Sequence, residues 1–241
     1  MLQAQTLLRL ARPHLARGDA AALAEALRER CTTTELTRLL QCPQAEVRQV
    51  AAIGLGLVAG PEAAPCLARA LHDPEPGVNQ MAEHGLWSIW FRASSPAAAE
   101  PFHEGVTLLA REQYEPAIER FEQASEIDPD FAEAYNQCGI AWFLLGEWRA
   151  SLSACRAAAR RVPVHFGAIS GMGHCYTHLE DLERALACYR QALAINPRMG
   201  AIARAVARLE AKLGVTPGSD AALGPWISGT GMTSVFDPTR G

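Results

Sequence analysis

Residues 132–165 read AEAYNQCGIAWFLLGEWRASLSACRAAARRVPVH, and the same pattern runs once before them and once after. Gly105, Gly139 and Gly173 are 34 residues apart, and so are Pro129, Pro163 and Pro197. Ala117, Ser151 and Ala185 keep step with them, as do Ala124, Ala158 and Ala192. Large side chains hold three further registers: Leu108/Trp142/Tyr176, Tyr114/Trp148/Leu182 and, with one small member, Phe121/Cys155/Tyr189. A fixed period of this length means stacked units that each bury a face only against a neighbour. The small residues let paired helices approach closely. The prolines end the second helix of each unit.

The period and residue types resemble the tetratricopeptide repeat. The expected fold is all-α, an α-solenoid of antiparallel helix pairs with units at 98–131, 132–165 and 166–199. The glycine usual at the turn within a unit is Gly146 in the second, but the first has Glu112 and the third Glu180, so those turns are expected to be looser. An amphipathic stretch at 199–213, with Ile202, Val206, Leu209 and Leu213 on one face, reads as a closing helix capped by Gly214.

Upstream lies a second repeat. LLQCPQAEVRQVAAIGLG (39–56) matches ALHDPEPGVNQMAEHGLW (70–87) at an offset of 31 residues. Leu40/Leu71, Pro43/Pro74, Val47/Val78, Ala51/Ala82 and Gly54/Gly85 coincide. Each copy reads as helix, proline-marked turn, helix, and resembles the HEAT-like repeat of phycobilisome lyases and bacterial scaffolds. Residues 2–16 and 19–30 read as two further helices, Asp19 capping the second. The whole is similar to small bacterial HEAT–tetratricopeptide fusion proteins. The expected organisation is 1–95 HEAT-like, 96–213 tetratricopeptide units with a closing helix, and 214–241 an extended tail.

The aromatic run LWSIWF (86–91) ends the last HEAT helix. Only a short stretch, RASSPAA (92–98), separates it from the next block, too short for a free tether. Trp87, Trp90 and Phe91 are therefore expected to pack into the first tetratricopeptide helices and make one continuous solenoid; the rival reading is an exposed patch. In the tail, Trp226, Ile227, Val235 and Phe236 suit either a segment docked on the solenoid or a solvated end.

Composition narrows the function. Net charge is −4, with residues 1–95 balanced and 96–199 carrying about five excess negative charges, so no basic face offers itself to nucleic acid. The acidic run from Glu112 to Asp130 follows one helix at spacings of three and four and reads as a solvated face. The seven cysteines are odd in number and contain no CxxC pair, which suits reduced thiols in a cytoplasmic protein. The opening residues lack the pattern of a signal peptide, and no apolar run has membrane-spanning length, so no membrane association is expected.

The tetratricopeptide resemblance implies a non-catalytic scaffold. Its concave groove, lined by the first helix of each unit, would hold a peptide or helix from a protein partner, preferably an apolar segment. The implied groove residues are Phe102, Val106 and Leu109 from the first unit, Asn136, Ile140, Phe143 and Leu144 from the second, and Ser170, His174, Thr177 and His178 from the third. The carboxylate clamp of the chaperone-binding subgroup would fall on Phe102, Val106, Gln137, Gly167 and Gly171, which are the wrong residue types, so a receptor of that kind is not expected. His174 and His178, one helical turn apart, supply two metal ligands and no third, and no metal or other cofactor is expected. Glu83-His84 is a single pair in the opposite order to the iron-binding His-Glu pairs of deoxyhypusine hydroxylase. No phosphate-binding or hydrolase motif occurs. The alternative is an accessory subunit or lyase-like HEAT protein acting on a bound cofactor, which would need a reactive group such as Cys175 or His174 in a pocket.

Overall fold

The computed structural model describes residues 3–215, and all of its regular structure is helical among those residues. The expectation for Trp226, Ile227, Val235 and Phe236 lies outside the described residues. Six helices form the first block: α1 Ala4–Arg17, α2 Ala20–Arg30, α3 Thr33–Leu39, α4 Ala45–Val58, α5 Ala64–Ala70 and α6 Pro76–Arg92. Seven follow: α7 Pro96–Ala110, α8 Tyr114–Ile127, α9 Ala132–Leu144, α10 Trp148–Arg161, α11 Phe166–His178, α12 Leu182–Ile195 and α13 Gly200–Leu213. From α7 to α13 every helix packs on the next, as in an α-solenoid.

Local chemistry sets the boundaries. The Asp19 carboxylate accepts from the Ala22 amide at 3.0 Å and starts α2, as the sequence suggested. Thr32 and Glu35 form a reciprocal capping box on α3. The matched prolines Pro43 and Pro74 lie in the turns before α4 and α6 rather than within their opening turns; Pro76 takes the first position of α6. The two HEAT copies are tied by a bidentate ion pair, Arg48 Nε and Nη2 to Asp73 Oδ2 and Oδ1 at 2.7 and 2.8 Å. The third guanidinium nitrogen of Arg48, Nη1, donates to the carbonyls of Cys42 and Pro43 in the turn between α3 and α4. Helices α4 and α6 meet backbone to backbone: a Cβ on Gly56 would lie 2.6 Å from the Gly85 Cα.

In the second block the predicted registers become contacts. A Cβ at Gly105, Gly139 or Gly173 would strike Phe121, Cys155 or Tyr189 at 2.5 to 2.7 Å, so each glycine admits the matching side chain of the second helix. Pro129, Pro163 and Pro197 each lie two residues past a helix end. The turns at Glu112 and Glu180 are not looser. Both glutamates adopt the left-handed conformation, φ 60° and 61°, that Gly146 takes at φ 83°. Tertiary packing imposes the turn whichever residue occupies it. Ile202, Val206 and Leu209 of α13 close the stack.

The junction departs from simple stacking. Phe91 packs on Phe102 of α7, with ring centroids 5.7 Å apart, as expected. Trp87 and Trp90 instead reach past the first unit to His165 and Phe166, where the third unit begins. Helix α6 also touches α9. The linker Ala93–Ser95 is pinned by the Ser95 amide donating to Asp128 at 2.6 Å. With that short connection fixed, α6 lies against α9 and the start of α11 as well as touching α7. The HEAT core and the start of the third unit consequently share one apolar cluster, which includes Trp90, Phe166 and Ile169.

Candidate binding face

Helices α7, α9 and α11 adjoin one another and make one continuous face, the one for which groove residues were expected. The structure divides those residues. Phe102, Asn136 and Ser170 are buried and are not available to a partner. Phe102 is enclosed by Phe91, Phe121 and Phe131, Phe91 coming from the aromatic end of α6. Ser170 turns back to the Gly167 carbonyl. Val106, Leu109 and Phe143 are half-buried. Ile140, Leu144, His174, Thr177 and His178 are exposed.

The N-terminal ends of α9 and α11 carry a buried polar network that the sequence reading did not identify. Glu133 and His165 are both fully buried, and His165 Nε2 lies 2.9 Å from Glu133 Oε2. The other oxygen of Glu133 accepts from Asn136 Nδ2 at 3.0 Å and from Gln137 Nε2 at 2.6 Å. His165 Nδ1 accepts the Ala168 amide and caps α11. That bond places the ring proton on Nε2, where it donates to Glu133. Trp90 stacks on the ring of His165, and a Cβ on Gly167 would lie 2.6 Å from Trp87. Gln137 and Gly167, two of the positions compared with the chaperone clamp, are thus committed to internal packing. The sequence signal was present: Glu, Asn and Gln stand where a groove-lining helix turns inward.

The C-terminal halves of the same helices stay open. Ile140 is 39% exposed and Leu144 51%, one turn apart on α9. Beside them Phe143 packs on Trp148 at 4.9 Å and on His178 at 5.3 Å, and Trp148 stacks on His178 at 4.0 Å. Trp148 was read from its register as a packing residue; here it also walls the open strip. His174 Nδ1 pairs with the Tyr189 hydroxyl at 2.8 Å. Burial, then the neighbouring His178, pushes the His174 pKa below the usual histidine value, so its neutral form is favoured. The strip is therefore mainly apolar and aromatic.

The thiols offer no reactive group to this face. Cys175 is buried, donating to Ser151 Oγ at 3.1 Å. A hydrogen bond with Cys155 holds the Cys175 thiol below its usual pKa, while that bond and then burial hold Cys155 above it. Burial pushes Cys138 and Cys188 up to about 12. Among the described residues no group of three or more His, Cys, Asp or Glu side chains converges as a metal site would need, and no helix is long and apolar enough to cross a membrane.

Comparison with known proteins agrees on the repeats. Residues 105–146 match the family model described as TPR repeat, 168–199 that for the tetratricopeptide repeat, and 33–107 that for HEAT repeats. The chain thus carries both kinds of repeat. A TPR repeat-containing protein of Rhizobium etli is 30% identical over 81 residues, which is 34% of this chain and 40% of that protein. The chain therefore spans less than half the length of that curated relative. Solved structures similar to it include the first TPR domain of Spaghetti bound to an HSP90 peptide, at 20% identity and TM-score 0.48, covering 48% of this chain and 93% of that one. The Sgt2 TPR domain of Aspergillus fumigatus is 19% identical at TM-score 0.48, covering 54% and 96%. MamA is 20% identical at TM-score 0.48, covering 57% and 84%.

Proposed function

We propose that this protein is a non-catalytic interaction scaffold that holds an apolar helix or extended segment of a protein partner on the open half of the first-helix face. One observation carries the reading. Ile140 and Leu144 stand exposed one turn apart on α9, with Phe143 between them in sequence, whereas most large aliphatic side chains of the described chain are buried. A contiguous apolar strip bounded by polar residues marks a contact site, and two aliphatic side chains one turn apart suit a partner helix laid into a groove. On this reading the units at 1–95 and 96–213 act as one body, the first block supplying the wall that closes the N-terminal half of the face. The reading includes a cytoplasmic location, supported by the free state of all seven cysteines.

The test is capture of partners from the source cell by the wild-type chain beside an Ile140→Glu/Leu144→Glu variant. Both side chains are exposed, so the variant is expected to keep its helical circular dichroism. A protein retained by the first and lost by the second supports the reading. Equal retention by both moves the contact elsewhere and defeats it.

A further inference from the structure

We propose that Cys66 is a site of reversible mixed-disulfide formation with a small disulfide that carries carboxylates, of the glutathione class, and that Arg69 recognises its anionic half. The site is a surface hollow of about 470 Å³ in the first block. That volume falls in the range of small-molecule pockets, roughly 300–1,000 Å³. Its walls include Cys42, Arg48, Cys66, Arg69, His72 and Asp73, none of which belongs to the open strip on α9 and α11.

Access singles out the thiol. Cys138, Cys155, Cys175 and Cys188 are buried. Cys31 is partly exposed, but burial and then Glu35 push its pKa above the usual thiol value, and the thiolate is the attacking form. Cys42 and Cys66 remain, both half-buried and both on the wall of the hollow. Of these two, Cys66 presents its sulfur to a cation: Arg69 Nη2 donates to Sγ at 3.2 Å.

The charges in the hollow point the same way. Arg48 is fully committed, with Nε and Nη2 on Asp73 and Nη1 on the Cys42 and Pro43 carbonyls. The same pair neutralises the Asp73 carboxylate. Arg69 is exposed, and among the described residues its one hydrogen bond goes to Cys66. It keeps further N–H donors for a carboxylate arriving beside the sulfur. In the exchange the Cys66 thiolate attacks one sulfur of the small disulfide. A new S–S bond forms as the old one breaks. The departing sulfur leaves with the electron pair and takes up a proton, replacing the one that Cys66 gave to solvent. Cys66 is oxidised, the released half is reduced to its thiol, and no other oxidant takes part. Excess thiol drives the reverse exchange and restores Cys66.

In the test, the full-length chain is incubated with millimolar oxidised glutathione. Remaining thiols are alkylated and the adducts are located by mass spectrometry. Adduct formation at Cys66 is expected to run at least fivefold faster than at Cys42 or Cys31, and excess reduced glutathione is expected to reverse it. Arg69→Gln should slow it at least threefold. Arg69 is exposed, so the variant is expected to keep its helical circular dichroism. With hydroxyethyl disulfide, which has no carboxylate, the same substitution should slow the reaction less. A first adduct at any other cysteine, an internal Cys42–Cys66 disulfide in place of the adduct, or an unchanged rate in Arg69→Gln would overturn the proposal. Equal slowing with both disulfides would overturn recognition of the anionic half by Arg69.

Discussion

The indole of Trp90 lies flat on the imidazole of His165, centroids 4.1 Å apart and planes 13° from parallel. It is the point at which α6 grips the N-terminus of α11. Trp90 is 2% exposed, and Trp87 meets it edge-on at 5.1 Å. Trp90→Ala is expected to cost about 3 to 5 kcal/mol, the range for deleting a large buried ring. Urea unfolding of the variant should resolve two transitions where the wild-type chain shows one. A single transition with an unchanged midpoint would show that the two blocks do not depend on this contact.

His165 contributes through bonds as well as stacking. His165→Phe keeps a flat ring under Trp90 but removes both the bond to Glu133 and the cap on α11. The expected loss is about 2 kcal/mol, because the Ala168 amide and a buried Glu133 oxygen lose their partner. Glu133→Ala should cost more, since Asn136, Gln137 and His165 all lose their acceptor. Denaturant midpoints of the two variants, compared at equal m-value, check this order.

The Arg48–Asp73 pair sets a pH dependence. The hydrogen bonds from Arg48 hold the Asp73 pKa below the ordinary carboxylate value. A carboxylate with a lowered folded pKa stabilises the fold above its unfolded pKa, near 4, and that contribution is lost as pH falls through the folded value. Stability of the wild-type chain should therefore decline below about pH 4. Asp73→Asn should flatten that part of the profile while lowering stability at pH 7 by about 3 kcal/mol, since it leaves a mostly buried guanidinium short of its partner. Melting temperature as a function of pH for the two proteins is the measurement.

Two turns are open to improvement. Glu112 and Glu180 hold positive φ, a conformation that costs a residue with a Cβ about 1 kcal/mol or more. Glu112→Gly and Glu180→Gly should each raise the melting temperature. Gly146→Ala, in the corresponding turn of the middle unit, should lower it by a similar energy.

The glycines inside the helices behave differently. At Gly173 a Cβ would meet the Tyr189 ring at 2.5 Å, and that hydroxyl is tied to His174 and Thr177. Gly173→Ala is expected to destabilise by about 2 to 3 kcal/mol through overpacking. It should also perturb the imidazole signals of His174 in an NMR spectrum. An unchanged spectrum and stability would mean that the third unit is packed more loosely than its geometry shows.

The repeats were readable because their spacing writes packing directly into the sequence. Gly105, Gly139 and Gly173 recur together with Phe121, Cys155 and Tyr189, and in the structure each glycine touches its partner. The left-handed turn was harder to read, because at Glu112 and Glu180 the neighbouring helices dictate a conformation that the residue itself disfavours. The burial of three of the eleven expected groove residues was not legible for a different reason. A repeat pattern tells which side of α7, α9 and α11 points inward, but not that Phe91, Trp87 and Trp90 arrive from another repeat family to cover part of it. Phe102, Asn136 and Ser170 keep groove registers and lose groove exposure. Ile140, Leu144, His174, Thr177 and His178 keep both.

The contact of α6 with the start of α11 changes how the chain must assemble. An array whose units touch only their neighbours can grow from any nucleus by short-range steps. Here Trp90 meets its partner only after about 75 intervening residues have been drawn into a loop, and closing such a loop costs entropy before its contacts form. The clasp between Trp90 and His165 therefore belongs late in folding. Substitutions there should leave the refolding rate nearly unchanged and accelerate unfolding, so the lifetime of the folded chain is governed at this junction.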